Sequence, residues 1–495
     1  MYKYLSTGFK DIGENCAIIR RRTMTKNKYT FIDLFAGLGG FHIALESLGC
    51  KCVFTSELKE DLRQLYKLNF PDVPLIEGDI TKVDLTTIPH HDILCAGFPC
   101  QPFSQAGKRK GFSDEGRGNM FDYICAIIEE RGKLNDKPKY LLLENVSNLK
   151  GHDEGNTWRI IQERLNALGY YVSGEILSPH QFGIPQHRKR IYIVGLRKDL
   201  AVESTSNNNS QYFAFPNEKK EKCCDITTII NETDKDIQPL TLKTHQHLKV
   251  WQIFLNEIKK HNRKIPRFPI WAMEFDADYD YEDIAPFKQH KNKLKGHKGK
   301  LGWVIDGPSK EDCLKQLPIY AQTDTAERFP EWKIRYIRQN REFWADNSDW
   351  LSLWIEYIKE WDNSHQKFEW NCKGCEDGNI RDKIVQFRAS GIRVKLPTFS
   401  PALNLVGTQV PILPWVKLPS ECIPKYSDAE LEQYGLTRED ISYGRYLSVK
   451  EAAALQGMGQ LKFGNLSKTR IYEALGNAIN VDIVKIIAKK MLSYE

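Results

Sequence analysis

The chain of 495 residues has no run of about 18 apolar residues, so no segment is expected to span a membrane. Arg20, Arg21 and Arg22 are not followed by an apolar core of the right length, which excludes a secretory signal and leaves a cytoplasmic protein as the expectation. Low-complexity tracts are missing, and a composition 41% hydrophobic and 27% charged is ordinary for a globular protein. The twelve cysteines form no disulfide framework; several, such as Cys52 and Cys95, fall in segments that read as buried strands. That is the usage of a reducing cytosol. No HExxH motif occurs, and Cys372-Lys373-Gly374-Cys375 is one C-x-x-C without a second pair, so no metal site is expected. An acidic excess is lacking too. The net charge of +7 permits a polyanionic partner without demanding one.

Residues 1–28 form an N-terminal extension without a readable motif, and from residue 29 to 199 short apolar runs alternate with amphipathic stretches. Strands are expected at Tyr29–Phe35, Cys52–Ser56, Val73–Ile76, Asp92–Ala96, Tyr140–Leu143, Tyr171–Leu177 and Arg190–Leu196. Helical spacing marks Gly39–Leu48, Lys59–Phe70, Met120–Arg131 and Thr157–Leu168. This alternation predicts an α/β fold with a doubly wound, mostly parallel sheet. The rhythm breaks near residue 200 at Asn207–Ser210, and 200–439 reads as a second, irregular domain. In it Trp350, Leu353, Trp354, Tyr357, Ile358 and Trp361 fall at helical spacing, a stripe expected to pack in a local core. Helical periodicity returns over Ser448–Met458 and Tyr472–Lys489, so 440–495 is expected to complete the first domain.

In an open parallel sheet ligands sit beyond the carboxyl ends of the strands. The first expected strand runs into Phe35-Ala36-Gly37-Leu38-Gly39-Gly40, a loop that brings backbone close to a ligand at a helix start or serves as a plain turn. It is no dinucleotide fingerprint, because His42 stands where the third glycine belongs. Glu57, about twenty residues on, has a spacing suited to ribose hydroxyls, and Asp79 follows the third strand. Cys100 sits between Pro99 and Pro102 in a rigid loop, and a thiol whose ordinary pKa is about 8.5 needs nearby positive charge to become a nucleophile. Gly107-Lys108-Arg109-Lys110-Gly111 offers that charge, and its glycines suit a lid. Glu144 ends an apolar strand, where a carboxylate is costly unless it is paired or functional; an N-cap or a structural ion pair is the alternative. Gln186, Arg188 and Arg190 lead into another apolar strand, with the two arginines on one face, or they form a solvated charge run.

These segments resemble the DNA cytosine-5 methyltransferases of bacterial restriction–modification systems, over about residues 29–199 and 390–485. Phe35–Gly40 looks like that family's cofactor loop, and Pro99-Cys100-Gln101 like its catalytic Pro-Cys-Gln. Glu144-Asn145-Val146 resembles its Glu-Asn-Val, and Gln186, Arg188 and Arg190 fit its Gln-x-Arg-x-Arg. Arg445 through Gly457, with Glu451, is similar to the segment that supports the target domain, and Gly476-Asn477-Ala478 to the C-terminal Gly-Asn motif.

The resemblance implies a Rossmann-like, class I methyltransferase fold with a target-recognition domain, and S-adenosyl-L-methionine as cofactor. The cofactor would lie over Phe35, Ala36, Gly37, Leu38 and Gly39, its ribose held by Glu57 and its adenine met by Asp79 and Ile80. Pro99, Met120, Asn477 and Ala478 match further cofactor positions; Leu58 departs from the aromatic that some relatives carry there. Catalysis would rest on Cys100 attacking C6 of a flipped cytosine, Glu144 at N3 and Arg190 at O2, with Gln186 and Arg188 beside them and the Gly107–Gly118 loop, with Arg117, closing over the base. Double-stranded DNA is then the partner, with a cognate restriction endonuclease as a system partner and a monomer as the expected state. In the second domain, Lys291, Lys293, Lys295, Lys298 and Lys300 form a basic loop suited to phosphates or to plain solvation. Arg335, Arg338, Asn340 and Arg341 carry side chains able to read base edges. Three rival readings are an RNA methyltransferase, opposed by the long 200–388 region; a catalytically dead DNA-binding module, opposed by the Cys100, Glu144 and Arg190 set; and a nicotinamide dehydrogenase, opposed by the missing glycine.

Overall fold

The computed structural model describes residues 29–99, 120–200, 213–217, 224–403 and 409–493. Cys100, the Gly107–Gly118 loop with Arg117, and Asn207–Ser210 lie outside these described residues. Among the described residues no helix is long and apolar enough to cross a membrane.

Strand β1 (Thr30–Leu34) leads into helix α1 (Gly40–Glu46), and β2 (Lys51–Ser56) into α2 (Glu60–Asn69). A short β3 (Ile76–Glu77) and β4 (Ile93–Ala96) come before α3 (Met120–Lys133), and β5 (Tyr140–Val146) before α4 (Asn156–Ala167). Then follow β6 (Tyr170–Leu177), β7 (Gln186–His187) and β8 (Arg190–Arg197). Seven of these strands form one sheet in the order β3-β2-β1-β4-β5-β8-β6. The first five in that order are mutually parallel, whereas β8 runs antiparallel to both β5 and β6. Strand side chains alternate between two buried faces. Phe31, Cys95, Leu142 and Val194 pack toward α1, α2 and the C-terminal helices, while Leu34, Leu94, Leu141 and Ile193 pack toward α3 and α4. Strand order reverses between β1 and β4, so a crevice is expected at their carboxyl ends.

The C-terminal periodicity is broken where a single run was expected. Helices span Lys468–Asn477 and Val481–Met491, separated at 478–480. The reason is Asn480, whose side-chain oxygen caps the second helix through the Ile483 N–H at 3.1 Å and so starts a new helix instead of extending the old one.

The second region is not irregular. After α5 (Leu242–Lys260), strands β9 (Ile270–Trp271), β10 (Lys367–Asn371), β11 (Ile384–Arg388), β12 (Gly391–Lys395), β13 (Ser400–Pro401), β14 (Ile412–Lys417) and β15 (Tyr443–Tyr446) follow. Six of them form a sheet in the order β15-β14-β11-β12-β10-β9, with only the β10–β12 pairing parallel. Apart from the β11–β12 hairpin its strands are widely separated in the chain, so no local rhythm announces them. The last strand, β15, comes from the segment beyond residue 439. The tryptophan stripe also needs correction. Along the helix Ser348–Trp354 and the 3₁₀ turn Ile355–Tyr357, Trp350, Trp354, Ile358 and Trp361 are buried, while Leu353 and Tyr357 fall on the flank of the stripe and are 74% and 57% exposed.

Two joints tie the sheets together. Strand β13 pairs in parallel with β7. Arg445, on β15, grips Glu451 in a two-pronged ion pair of 2.8 and 2.6 Å, both side chains 1% exposed. Glu451 also accepts the backbone N–H groups of Ser448 and Asn231, each at 2.8 Å. Removing one partner of such a buried pair strands the other charge. Glu451→Ala is therefore expected to lower unfolding free energy by about 3–5 kcal/mol in a urea titration.

Candidate active site at the strand ends

A cavity of about 1060 Å³ opens at the reversal point. Phe35, Ala36, Gly37 and Leu38 line its floor, Glu57 and Leu58 one wall, and Asp79 and Ile80 the next. Pro99, Met120, Glu144, Arg188 and Arg190 complete the far side, and Asn477 and Ala478 close it from the C-terminal segment. Residues from eight separate stretches of sequence thus share one space.

The floor is shaped by backbone conformation. Phe35 and Gly37 both adopt left-handed φ values, 57° and 53°. The strained, non-glycine Phe35 turns the chain sharply off β1. The Gly37 N–H donates to Glu57 Oε2 at 2.8 Å, and the Lys59 N–H to Glu57 Oε1 at 2.9 Å. Glu57 is thereby fixed at the lip with acceptor capacity left on each oxygen. Asp79 accepts from the Thr81 N–H and hydroxyl at 3.0 and 2.8 Å, which caps the turn holding Ile80. Gly39 is placed differently from expectation. It does not line the cavity; with φ of 79° it precedes α1, and a Cβ there would strike Phe70. Its role is the turn.

On the far side, β5 and β8 run antiparallel, with Glu144 opposite Tyr192 and Val146 opposite Arg190. Arg190 Nε lies 3.1 Å from Glu144 Oε1. This is an ion-pair contact whose angles fall short of a hydrogen bond, so Oε1 keeps a free bonding direction. Burial pushes the Glu144 carboxyl above the usual carboxylate range, and the charges of Arg190 and Arg188 oppose that only in part. Asn145, next along the strand, donates from its side chain to the Phe98 carbonyl at 2.9 Å. It therefore fastens the chain two residues before Cys100, whose own position lies outside the described residues.

Arg188 departs from its expected role. Its guanidinium is buried and spans the end of the helix Lys468–Asn477, donating to the carbonyls of Gly476 at 2.9 Å and Ala478 at 2.7 Å. It holds the closing segment rather than pairing with Glu144. Gln186 is fully buried behind it and does not reach the cavity; its backbone pairs with Ser400. Several lining residues escaped the sequence reading. Tyr123 lies one helical turn beyond Met120, and Lys59 and Ile479 directly follow Leu58 and Ala478, all legible signals, whereas Arg470 arrives by long-range packing that leaves no local trace.

A doubly wound sheet with one antiparallel strand near its edge, and a strand-end cavity joining a glycine turn to a buried Glu–Arg pair, define a Rossmann-like methyltransferase fold. The chain belongs to the C-5 cytosine-specific DNA methylase family, whose sequence model matches residues 29–493. It is 48% identical over 186 residues to the type II methyltransferase M.HhaI of Haemophilus parahaemolyticus, covering 38% of this chain and 52% of that protein. To M.HpaII of Haemophilus parainfluenzae it is 49% identical over 185 residues, 37% of this chain and 49% of that one. The chain thus spans about half the length of these relatives. The likeness to M.AluI of Cellulosimicrobium cellulans is lower, 29%, but extends over 94% of this chain and 92% of that protein. An alignment of that extent takes in the second sheet.

Because Arg188 satisfies two carbonyls of the closing segment, Arg188→Ala is expected to free that segment selectively. Amide hydrogen exchange at Ile479 and Asn480 should accelerate severalfold while protection in β11 and β12 stays unchanged. Equal acceleration in both regions would mean that Arg188 supports the fold only globally.

Proposed function

We propose that this chain transfers a methyl group from S-adenosyl-L-methionine to C5 of cytosine in a specific sequence of double-stranded DNA, as the modification enzyme of a restriction–modification system. It would act as a monomer in the cytoplasm, with a cognate endonuclease sharing its target. The observation that carries this reading is the Glu144–Arg190 pair standing in the same cavity as the glycine turn and Glu57.

The cavity suits the cofactor. Glu57 is an acceptor-only group at the lip, matched to ribose hydroxyl donors, and Ile80 offers an apolar face for an adenine. Asn477 and Ala478 would close over it, held by Arg188. When bound, the cofactor supplies an electrophilic methyl group on a sulfonium.

Cytosine C5 is a poor nucleophile while the ring is aromatic. Cys100, as thiolate, would add to C6, forming a C–S bond and moving the ring's electron pair toward C5. Glu144, whose carboxyl burial shifts toward protonation, would donate to N3 as negative charge builds on the ring, and Arg190 would hold O2. Once C5 has taken the methyl group, its proton leaves to a base, and expulsion of the thiolate restores the ring. Because the ring is inaccessible within a stacked duplex, the target must be flipped out at a cost of a few kcal/mol.

Labelled adenosylmethionine offered to duplex DNA and to tRNA, with wild type and Cys100→Ser in parallel, tests this. Label is expected at cytosine C5 of DNA and not in the variant; labelling of tRNA alone would refute the DNA reading. The pH profile carries a second expectation. The protonated carboxyl is present below its folded pKa, so turnover should fall as pH rises through that raised value. Glu144→Gln should be at least roughly 100-fold slower and lose that limb, and a retained limb would remove Glu144 from the proton donor's role.

A further inference from the structure

The residues expected to meet DNA in the second region are largely spoken for. Lys295 pairs with Asp306 at 2.7 Å and Lys298 with Asp276 at 2.9 Å. Arg338 pairs with Glu282 at 2.8 Å and Arg341 with the fully buried Glu274 at 3.0 Å. Asn340 is buried too, its side chain bonded to the backbone of Trp271 and Pro269. Those cations are locally neutralised, and Asn340 is out of reach of any base.

One surface is different. On the hairpin of β11 and β12, Gln386 stands opposite Arg393 and Ile384 opposite Lys395, so Ile384, Gln386, Arg388, Arg393 and Lys395 share a face. Ile384 packs in the core that also contains Leu142 and Val194 of the first sheet. This face is therefore turned toward the catalytic cavity's own domain. Arg388 and Arg393 both approach a single carboxylate, Glu369, each at 2.9 Å. Among the described residues no acceptor meets Arg388 Nε. Lys395 has no carboxylate partner there; its Nζ lies 4.5 Å over the Phe399 ring, which stacks 5.7 Å from His187. Two residues beyond His187 the exposed Lys189 stands between Arg188 and Arg190. Four cations against one carboxylate thus run from the second sheet to the catalytic strand. Burial is the main cause that depresses the pKa values of Arg388 and Lys395; the Arg393 charge adds to it, and at Arg388 the Glu369 carboxylate opposes it.

We propose that this face of the β11–β12 hairpin, continued by Lys189, is the track for the phosphate backbone of duplex DNA, with Arg393 and Lys395 as direct phosphate contacts. The proposal rests on the reading of the protein as a DNA methyltransferase. A polyanion supplies the missing counter-charge along the whole track at once, which an isolated ligand does not. The half-buried placement also shields these contacts from solvent and holds the arginines in fixed positions, suited to setting the register of the duplex against the cavity.

Fluorescence anisotropy with a labelled duplex carrying many candidate sites, titrated at several salt concentrations, tests the track. R393Q and K395Q are each expected to bind severalfold more weakly and to lower the slope of log affinity against log salt by roughly one, with adenosylmethionine binding by calorimetry unchanged. K315Q, remote on the second region and paired with Asp312, should match wild type. If R393Q is poorly folded, K395Q alone decides, because Lys395 joins no ion pair among the described residues. Wild-type slopes in both variants would overturn the track while leaving the methyltransferase reading intact. No binding of duplex by wild type would overturn that reading, and the track with it.

Discussion

A carboxyl group buried at the tip of a strand is the constraint around which this protein is arranged. Glu144 is held away from water at the end of β5, where an unpaired charge is unfavourable by several kcal/mol. The fold answers with Arg190, and that answer depends on β8 running antiparallel to β5. A parallel neighbour would deliver its carboxyl end there; the reversed strand delivers its beginning, where Arg188 and Arg190 stand two residues apart on one face. One arginine meets Glu144 and the other fastens the closing segment. The same reversal that stabilises the carboxyl thus links it to the far wall of the cavity.

That closing segment is fitted from both sides. A Cβ on Gly40 would collide with the Ile479 side chain, so α1 and residues 478–480 touch at a place where only glycine is accommodated. Arg188 holds the opposite flank. The glycine turn and the Glu144–Arg190 pair are therefore parts of one packed unit, not neighbours by accident of folding. Arg445 and Glu451 extend the unit to the second sheet, so the track on β11 and β12 is referenced to the cavity through buried contacts.

Much of this was legible in the sequence because the relevant signals are local. Alternating apolar runs gave away β1, β2, β4, β5, β6 and β8, and the carboxylates at their ends fell where a parallel sheet gathers its ligands. Glu57, Asp79 and Glu144 all reached the cavity for that reason. Gln186 carried the right motif but is buried away from the cavity, and Arg188 lines it while spending its hydrogen bonds on the closing segment. Which way a side chain points off a strand end is settled by what packs against it, here helix-terminal carbonyls hundreds of residues away. The second sheet was invisible because, the β11–β12 hairpin apart, its strands are brief and far apart in the chain, and the helix stripe at Trp350 is narrower than expected because Leu353 and Tyr357 fall on its solvent flank. In the lysine loop and the Arg335–Arg341 helix, the carboxylate partners of Lys295, Lys298, Arg338 and Arg341 were out of view in the sequence.

The central claim is that Glu144 activates a base held by Cys100. The most direct test is trapping on duplex DNA synthesised with 5-fluorodeoxycytidine, in which fluorine at C5 blocks release of the thiolate after methyl transfer. With adenosylmethionine present, wild type is expected to yield a denaturation-stable adduct mapping to the Cys100 peptide, formed far more slowly by Glu144→Gln. No adduct in wild type, or equal rates of trapping in the two proteins, would contradict the account.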